Sequence, residues 1–600
     1  MTSKPFITAQ SPLAETLAGL NNDDLKPRAQ ICTRNAPTRK SDLIEVIVTS
    51  LNTPETLHRL WSQLDELSRQ TIAAAIEHGG ELNEDAFRAQ YRALPWDAQK
   101  KKDSLWSYSY RREYLPIDVF MYQGRIPPDV IPLLKPLAPQ LTPYAVEALA
   151  ELPAAEVEEL YIAETEDSAV HDWTTTLGFI AEGKAAVTPA NERPTSAAVL
   201  KLSERLLHGE YLPGENNTPS PEPIRAYGWL MLAQAVRCAK PIGSKLELTP
   251  KGRKALAAPG VEQLREVYHD WAESNQADEL IRITGLKGQK GKGARLTRPS
   301  DRKQPIVEAL CNCPPGKWIE VEDFLRAIRA WRLNFEIESS NYRGPGKLYV
   351  GSSWEYGYLS GFGHEPAWRA AQAQYVLVCL WEYLATLGAL DLAYTFPDDA
   401  EFQLGSLGGV GDESYFSRYI GLRYFRLNAL GAYLLNLSDD YAGPARVDSR
   451  PVFMVLPNCE VAITQREEFT PNVRAVLERL AEPVSEGVYR LQRDRILTAI
   501  ETGLTTEAMT EFLADKSAQP LPKTVAVFLD DIRRNSRALK ESGTAVLFTV
   551  ADATLAHLIA NDRTLSGLCS ITDETTLVVP AEKEAVFRRR VKQLGYGIRH

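Results

Sequence analysis

The sequence predicts a mostly helical α+β protein, with tandem winged-helix-like units leading to a C-terminal α/β domain of different texture. Three observations predict it. A strand-to-helix junction, Leu246-Glu247-Leu248-Thr249-Pro250-Lys251-Gly252-Arg253-Lys254-Ala255-Leu256, recurs as Phe425-Arg426-Leu427-Asn428-Ala429-Leu430-Gly431-Ala432-Tyr433-Leu434-Leu435, with Leu, capping residue, Gly and Leu at the same offsets. A looser copy runs from Tyr489 to Leu497, with Arg495 at the glycine position. Between these junctions apolar residues recur at helical spacing. From residue 450 onward the texture changes: Phe453–Leu456, Val546–Val550 and Leu577–Val579 read as β-strands, separated by the helices Pro471–Ala481, Thr506–Ala514, Thr524–Asn535, Ala553–Ala560 and Glu582–Leu594.

The elements follow in chain order. Residues 1–40 lack sustained periodicity and are rich in Asn, Asp, Pro and Thr, so they are expected to be an irregular lead-in. A first helical, winged-helix-like unit covers 41–95. Leu43, Ile44, Ile47, Val48 and Leu51 follow Ser41 as a candidate cap, Thr53-Pro54 opens a second helix, and a third runs from Ser68 to Glu77 before Gly79-Gly80. Residues 96–190 form a connector with an expected helix over Val146–Ile162. A linker rich in Pro, Asn and Gly at Leu212–Pro223 interrupts the next winged-helix-like unit, 191–260, in which Thr249 caps a helix and Pro250 takes its first position. Residues 261–300 hold a helix and a basic glycine-rich loop. The unit 301–440 contains a buried helix, Tyr375–Gly388, and candidate wing strands Leu390–Tyr394 and Tyr424–Leu427. The α/β domain spans 450–600. The spacing of the copies is too irregular for a solenoid and predicts a string of beads.

Composition sets the class. The chain has 600 residues, 44% hydrophobic and 24% charged, which is globular rather than disordered or fibrous. Met1–Leu17 has no apolar core of secretory type, and the most apolar stretch, Tyr375–Leu387, is broken by Glu382, so neither export nor a membrane location is expected. Seven scattered cysteines suit a reducing compartment, which makes the cytoplasm the expected location. Cys311 and Cys313 stand without a second pair at zinc spacing. The net charge of -10 is uneven: nine acids and no Lys or Arg lie between Glu147 and Asp172, whereas Lys287–Lys303 holds seven basic residues and one acid. A solvated face or a basic partner both account for the acidic stretch.

Several stretches together resemble the bacterial helicase-associated proteins that carry a domain similar to the N-terminal domain of the XPB helicase. They are Tyr489-Arg490-Leu491, Ala499-Ile500-Glu501-Thr502-Gly503-Leu504-Thr505, Phe512-Leu513, Ser517, Pro520-Leu521-Pro522, the strand Thr576–Val579 and Leu594-Gly595-Tyr596. In the middle of the chain, Gly316-Lys317-Trp318-Ile319, Phe324 and Phe425-Arg426-Leu427-Asn428 look like the same family. The resemblance implies a DNA-associated accessory domain that works beside a superfamily 2 helicase motor. It carries no catalytic residues.

A motor is not expected in this chain. Its phosphate loop needs G-x-x-x-x-G-K-[ST], so that backbone N–H groups cradle the phosphates while Lys and a hydroxyl serve the γ-phosphate and Mg²⁺. Gly285–Gly293 and Gly344-Pro345-Gly346-Lys347 fail the spacing and lack Ser or Thr after Lys. Nucleophile elbows and H-E-x-x-H pairs are missing as well, so no cofactor, metal or catalytic residue is assigned.

The candidate nucleic-acid contacts are Lys287, Lys290, Lys292, Arg295, Arg298, Arg302 and Lys303, interleaved with glycines that let a backbone approach, together with Trp331, Tyr342 and Trp354 as stacking residues. The basic loop also reads as a plain linker, and Trp318 and Phe324 as core. The leading expectation is a non-catalytic accessory factor that binds DNA as duplex, fork or single strand, beside a separately encoded superfamily 2 helicase or other DNA-processing protein. The alternative is a scaffold whose winged units bind proteins, and fold alone does not choose between the two.

Overall fold

Local sequence accounts for most element boundaries in the structure, a computed structural model that describes residues 7, 11–97, 113–212, 223–257, 259–290, 295–339, 346–351, 356–361, 364–397, 416–441, 443, 451–466, 469, 471–485, 487–501, 504–536 and 544–599. It is mostly helical with small antiparallel sheets, an α+β protein. The chain divides into two compact units, Met1–Ser449 and Arg450–His600. Among the described residues no helix is long and apolar enough to cross a membrane.

The first unit opens with helices where an irregular lead-in was expected. Ser11 caps Pro12–Gly19 and Asn21 caps Asn22–Cys32, and Leu13, Leu17, Leu25 and Ala29 are buried. Helices Lys40–Asn52, Pro54–Ser62, Glu66–Glu77 and Glu84–Tyr91 follow. Ser41 lies inside the first of these and is not its cap, whereas Thr53 takes the N-cap position before Pro54 as expected but turns its hydroxyl back to the Thr49 carbonyl instead of capping with it. Asp65 and Asn83 cap the next two through their side chains. Gly80 has a φ of 99°, and a Cβ there would stand 2.6 Å from the Ile126 carbonyl oxygen, so glycine is required at this stop.

Two copies of one arrangement follow. In the first, helix Ala169–Ala181 leads to a short extended segment, helices Ser196–Ser203 and Arg225–Ala235, and a hairpin of strands Ala239–Ile242 and Lys245–Leu248. The extended segment pairs with the returning strand, through Leu246 N–H to Ala185 O and Val187 N–H to Ser244 O, both 2.8 Å. In the second, helix Pro299–Cys311 leads to strand Trp318–Glu320, helix Val321–Ala330 and a long helical run from His364 to Ala385, in which Arg369–Ala373 and Cys379–Ala385 are π-helical. Strands Leu390–Tyr394 and Leu422–Leu427 then pair from Leu390↔Leu427 to Leu422↔Tyr394, where the sequence predicts strands at Leu390–Tyr394 and Tyr424–Leu427. Trp318–Glu320 pairs with the returning strand as in the first copy.

The repeated junction has one cause in both copies. The capping residue's N–H donates to the carbonyl just before the hairpin, Thr249 to Cys238 at 2.9 Å and Asn428 to Ala389 at 3.3 Å. The glycine then passes that carbonyl so closely that a Cβ would lie 2.0 Å from it at Gly252 and 2.1 Å at Gly431. Glycine is therefore dictated by backbone contact rather than by φ.

The third helices of the two copies are packed against each other. Every residue of Arg225–Ala235 is buried, as is every residue of Gln374–Ala385. A Cβ on Gly228 would stand 2.2 Å from the Glu382 carbonyl oxygen. Glu382 is fully buried and accepts from Arg282 Nε at 2.8 Å and from the Tyr419 hydroxyl, while Arg282 lies 3.7 Å from the centroid of the Tyr227 ring.

The acidic stretch is not the helix expected over Val146–Ile162. Its strands Ala148–Leu149 and Tyr161–Ala163 form the two edges of a five-stranded sheet, with the pair Leu390–Tyr394 and Leu422–Leu427 and the strand Trp318–Glu320 between them. Leu149, Leu152 and Leu160 pack on Trp318, Ala393 and Tyr424, so tertiary pairing overrides the helical spacing.

Among its described residues the second unit has two sheets, each with its own apolar core. Strands Phe453–Val455, Glu460–Ile463, Ala481–Ser485 and Val488–Leu491 form the first, with helices Pro471–Leu480, Arg493–Glu501, Thr506–Lys516 and Lys523–Ser536. The third copy of the junction lies here: Gln492 N–H donates to Leu480 O at 3.0 Å, just before the hairpin. Strands Ala545–Thr549, Ser570–Asp573 and Thr576–Pro580 form the second, backed by helices Ala553–Asn561 and Glu584–Gln593.

Candidate nucleic-acid interface

The basic glycine-rich loop begins as strand Leu286–Lys287, paired with Tyr349–Gly351. Its first glycines serve the fold. A Cβ on Gly285 would enter the Phe416 ring at 2.3 Å, and on Gly288, at a φ of 83°, it would lie 2.0 Å from Lys347 O. The Gln289 amide ties the turn down by donating to Leu280 O and Leu286 O at 3.0 and 2.8 Å. These glycines approach the chain itself, not a bound backbone.

The candidate contacts separate into groups. Lys287, Lys290, Arg295 and Arg298 are exposed. Lys292, Tyr342 and Trp354 lie outside the described residues. Arg302 and Lys303 are withdrawn from solvent, which corrects their assignment as phosphate contacts. Arg302 is fully buried, donates to both oxygens of Asp278 at 2.9 and 2.8 Å, and lies over the Tyr375 ring. Lys303 is equally buried and donates to Trp271 O, Ser274 O and Glu279 Oε1. Trp331 is half-buried with its indole N–H on Tyr144 O at 2.8 Å and its ring edge-on to Tyr144, so it is not a free stacking platform. Arg326 and Arg329, close to it in sequence, are paired with Asp323 and with Asp85 and Glu365. Trp318 and Phe324 are core, as expected.

A stronger basic surface lies on the first hairpin. The strands join through Gly243-Ser244, with Gly243 at a φ of 62°, the left-handed region that two-residue hairpin loops use. Leu246 and Leu248 face the core, while Lys240, Ile242, Lys245 and Glu247 face water. Below the hairpin, the Thr249 hydroxyl accepts from Gly252 N–H at 3.2 Å, starting helix Pro250–Ala257 with Lys251, Arg253 and Lys254 outward. From Arg237 to Lys254 there are six basic residues and one acid, Glu247. Lys251 pairs with Asp270, and Arg253 donates to Leu248 O. The side chains of Arg237, Lys240, Lys245 and Lys254 form no ion pair or hydrogen bond among the described residues. These unpaired charges make the exposed face of the hairpin electropositive.

An open cleft lined by Val236, Arg237, Lys251, Asp270, Ser274 and Asn275 lies at the base of the hairpin. In its wall, Asn275 Oδ1 accepts from Ser300 N–H and Oγ at 3.0 and 2.9 Å, which fixes the start of the helix that follows Arg298. Sequence reasoning took the hairpin segment only as a strand-to-helix junction and missed its charges, whose exposure and lack of side-chain partners depend on the fold.

Cys313 is a core thiol: it is buried, contacts Ala309 O at 3.4 Å, and burial pushes its pKa up to about 12. No group of three or more His, Cys, Asp or Glu able to hold a metal occurs among the described residues.

No curated protein matches the chain. A family model of the helicase conserved C-terminal domain matches residues 453–571, from the first strand of the second unit into its strand Ser570–Asp573, and links the chain to helicase-like proteins.

Proposed function

We propose that the chain is a non-catalytic DNA-binding accessory factor that works with a separately encoded superfamily 2 helicase. The observation that carries this reading is the unpaired basic ribbon, Arg237, Lys240, Lys245 and Lys254, on an element order of helix, strand, helix, helix and hairpin that supports a winged-helix assignment for both copies. The likeness of residues 453–571 to a helicase domain supports a helicase partner, and the pattern from Tyr489 to Tyr596 supports a domain similar to the XPB helicase N-terminal domain. No phosphate loop is present in the sequence, so turnover of ATP would come from the partner.

Fluorescence anisotropy of labelled duplex, forked and single-stranded DNA, titrated with the full chain at low and physiological salt, tests the binding. Salt-dependent binding to at least one of them is expected. Its absence from all three would refute the reading. An ATPase assay of the chain alone is expected to show no turnover, and activity abolished by one point substitution would overturn the non-catalytic part.

A second reading, a protein-binding scaffold, is favoured by the acidic segment. Glu156 accepts from the Tyr424 hydroxyl at 3.0 Å, and Glu164 lies 3.3 Å from Arg426, so part of its charge is answered internally. The same segment presents Val157, Tyr161 and Ile162 to water beside Glu151 and Glu159, a mixed apolar and acidic surface suited to a basic partner protein. Capture of a helicase after nuclease digestion, lost on Tyr161→Ser with Ile162→Ser, would favour the scaffold.

A further inference from the structure

We infer that the first hairpin grips duplex DNA by its phosphates, independently of base sequence, and that neither third helix enters a groove. The inference rests on the proposed DNA-binding function and specifies how the site works.

Helix-turn-helix modules read sequence by laying one helix in the major groove. Here that helix is occupied in both copies. Arg225–Ala235 offers no exposed residue, and its Gly228 passes within Cβ distance of the Glu382 carbonyl on the facing run. Freeing the Gln374–Ala385 run would strip Glu382 of Arg282 and Tyr419, leaving a charge without its buried partners, and freeing Arg225–Ala235 would take the Tyr227 ring from Arg282. The two helices are a shared core and not a pair of reading heads.

The ribbon remains. Its returning strand is also paired on the outer side, through Ala185 and Val187, so the hairpin is not a free two-stranded ribbon of the kind that enters the major groove, and contact with the duplex is left to its exposed basic side chains. Its side chains are of the wrong types for reading bases: Ala239 to Leu248 contains no Arg, Asn or Gln, the residues that bond guanine or adenine edges in pairs. Lys240 and Lys245 are flexible point charges flanking the turn, Ile242 is a 45% exposed apolar contact near the tip, and Arg237 and Lys254 extend the charge to the base. Glu247, opposite Lys240, is the single opposing charge on the hairpin. Flexible lysines without bidentate donors give affinity without discrimination.

The test uses the full chain, two labelled duplexes of unrelated sequence, and matched single-stranded DNA and RNA. The variants are Lys240→Ala/Lys245→Ala/Lys254→Ala together, and Lys287→Ala/Lys290→Ala as the loop comparison. All five positions are exposed, so melting curves are expected to match the wild type. Wild type is expected to bind both duplexes within about threefold of each other. Each phosphate contact removed flattens the slope of log K against log salt by about 0.9, so the hairpin variant is expected to lose about 2.7. An unchanged slope in the hairpin variant, a loss confined to the loop variant, or discrimination between the duplexes above about tenfold would overturn the inference while leaving DNA binding intact. Tighter binding to the single strands than to duplex, with the same slope loss, would overturn the duplex assignment. If wild type binds none of the probes, the proposed function itself fails.

Discussion

Replacing Gly228 by alanine places two known effects in opposition. Alanine is the better helix former by about 1 kcal/mol, so in an open helix the change stabilises. At Gly228 the new Cβ would meet the Glu382 carbonyl oxygen at 2.2 Å, well inside the 3.0 Å below which Cβ contacts are essentially never seen. The obstructing atom belongs to the backbone of a buried run and cannot rotate away, so the helices must part. Overpacking of a core costs about 1–3 kcal/mol, toward the upper end where backbone must move. The net expectation for Gly228→Ala is a loss of about 1–2 kcal/mol after the propensity gain is deducted. Gly178 is the internal control, since it lies in helix Ala169–Ala181 with nothing within 4 Å of its Cβ position, and Gly178→Ala is expected to gain up to about 1 kcal/mol. Urea denaturation followed by tryptophan emission reads both, because Trp229 is fully buried beside Gly228 with its ring 5.7 Å from Trp173. A midpoint for Gly228→Ala equal to or above wild type would refute the packing of the third helices.

Further expectations follow from the same contacts. Gly252→Ala and Gly431→Ala should each lower the midpoint, since both meet a backbone carbonyl, whereas Arg495→Gly in the third junction should cost about 1 kcal/mol through helix propensity. Asp323 titrates below the usual aspartate range: burial alone would raise it, but bonds from the Tyr144 hydroxyl, Glu147 N–H and Arg326 outweigh burial. A carboxyl lowered in the folded state stabilises above its unfolded pKa and loses that contribution as pH falls through the folded value. Thermal melts from neutral to acidic pH should therefore show a smaller acid loss in Asp323→Asn. Burial raises the thiols of Cys32 and Cys238 to about 11 and Cys379 well above the ordinary range, so a disulfide reagent at mild alkaline pH should reach them after denaturation and not before.

Sequence reasoning reached furthest where a local pattern had a local cause. The junctions at Thr249 and Asn428 were visible because cap and glycine answer to one carbonyl a hairpin away, and the strands expected at Leu390–Tyr394 and Tyr424–Leu427 are short runs rich in apolar and aromatic residues. Between Phe453 and Gln593 the five expected helices and the three expected strands were also legible, whereas strands Glu460–Ile463, Ala481–Ser485 and Ser570–Asp573 were not. What failed depended on distant partners. Helix Asn22–Cys32 holds Pro27 and a mainly polar surface, and is fixed by packing of Leu25 and Ala29 that its own pattern barely signals. Residues 148–163 were recruited as sheet edges by strands far along the chain. Arg302 and Lys303 looked like the end of a basic run, but Asp278 and Glu279 neutralise them from a separate segment. Helix Arg225–Ala235 has no polar face because it has no solvent face, a fact that only its partner explains.

The most direct test of the central claim is the salt dependence of duplex binding by the unmodified chain, measured by anisotropy across about 50–200 mM salt. Four unpaired basic residues on and beside the hairpin predict a slope of log K against log salt of about −3 to −4. A flat line, or no binding at the lowest salt, would contradict the account.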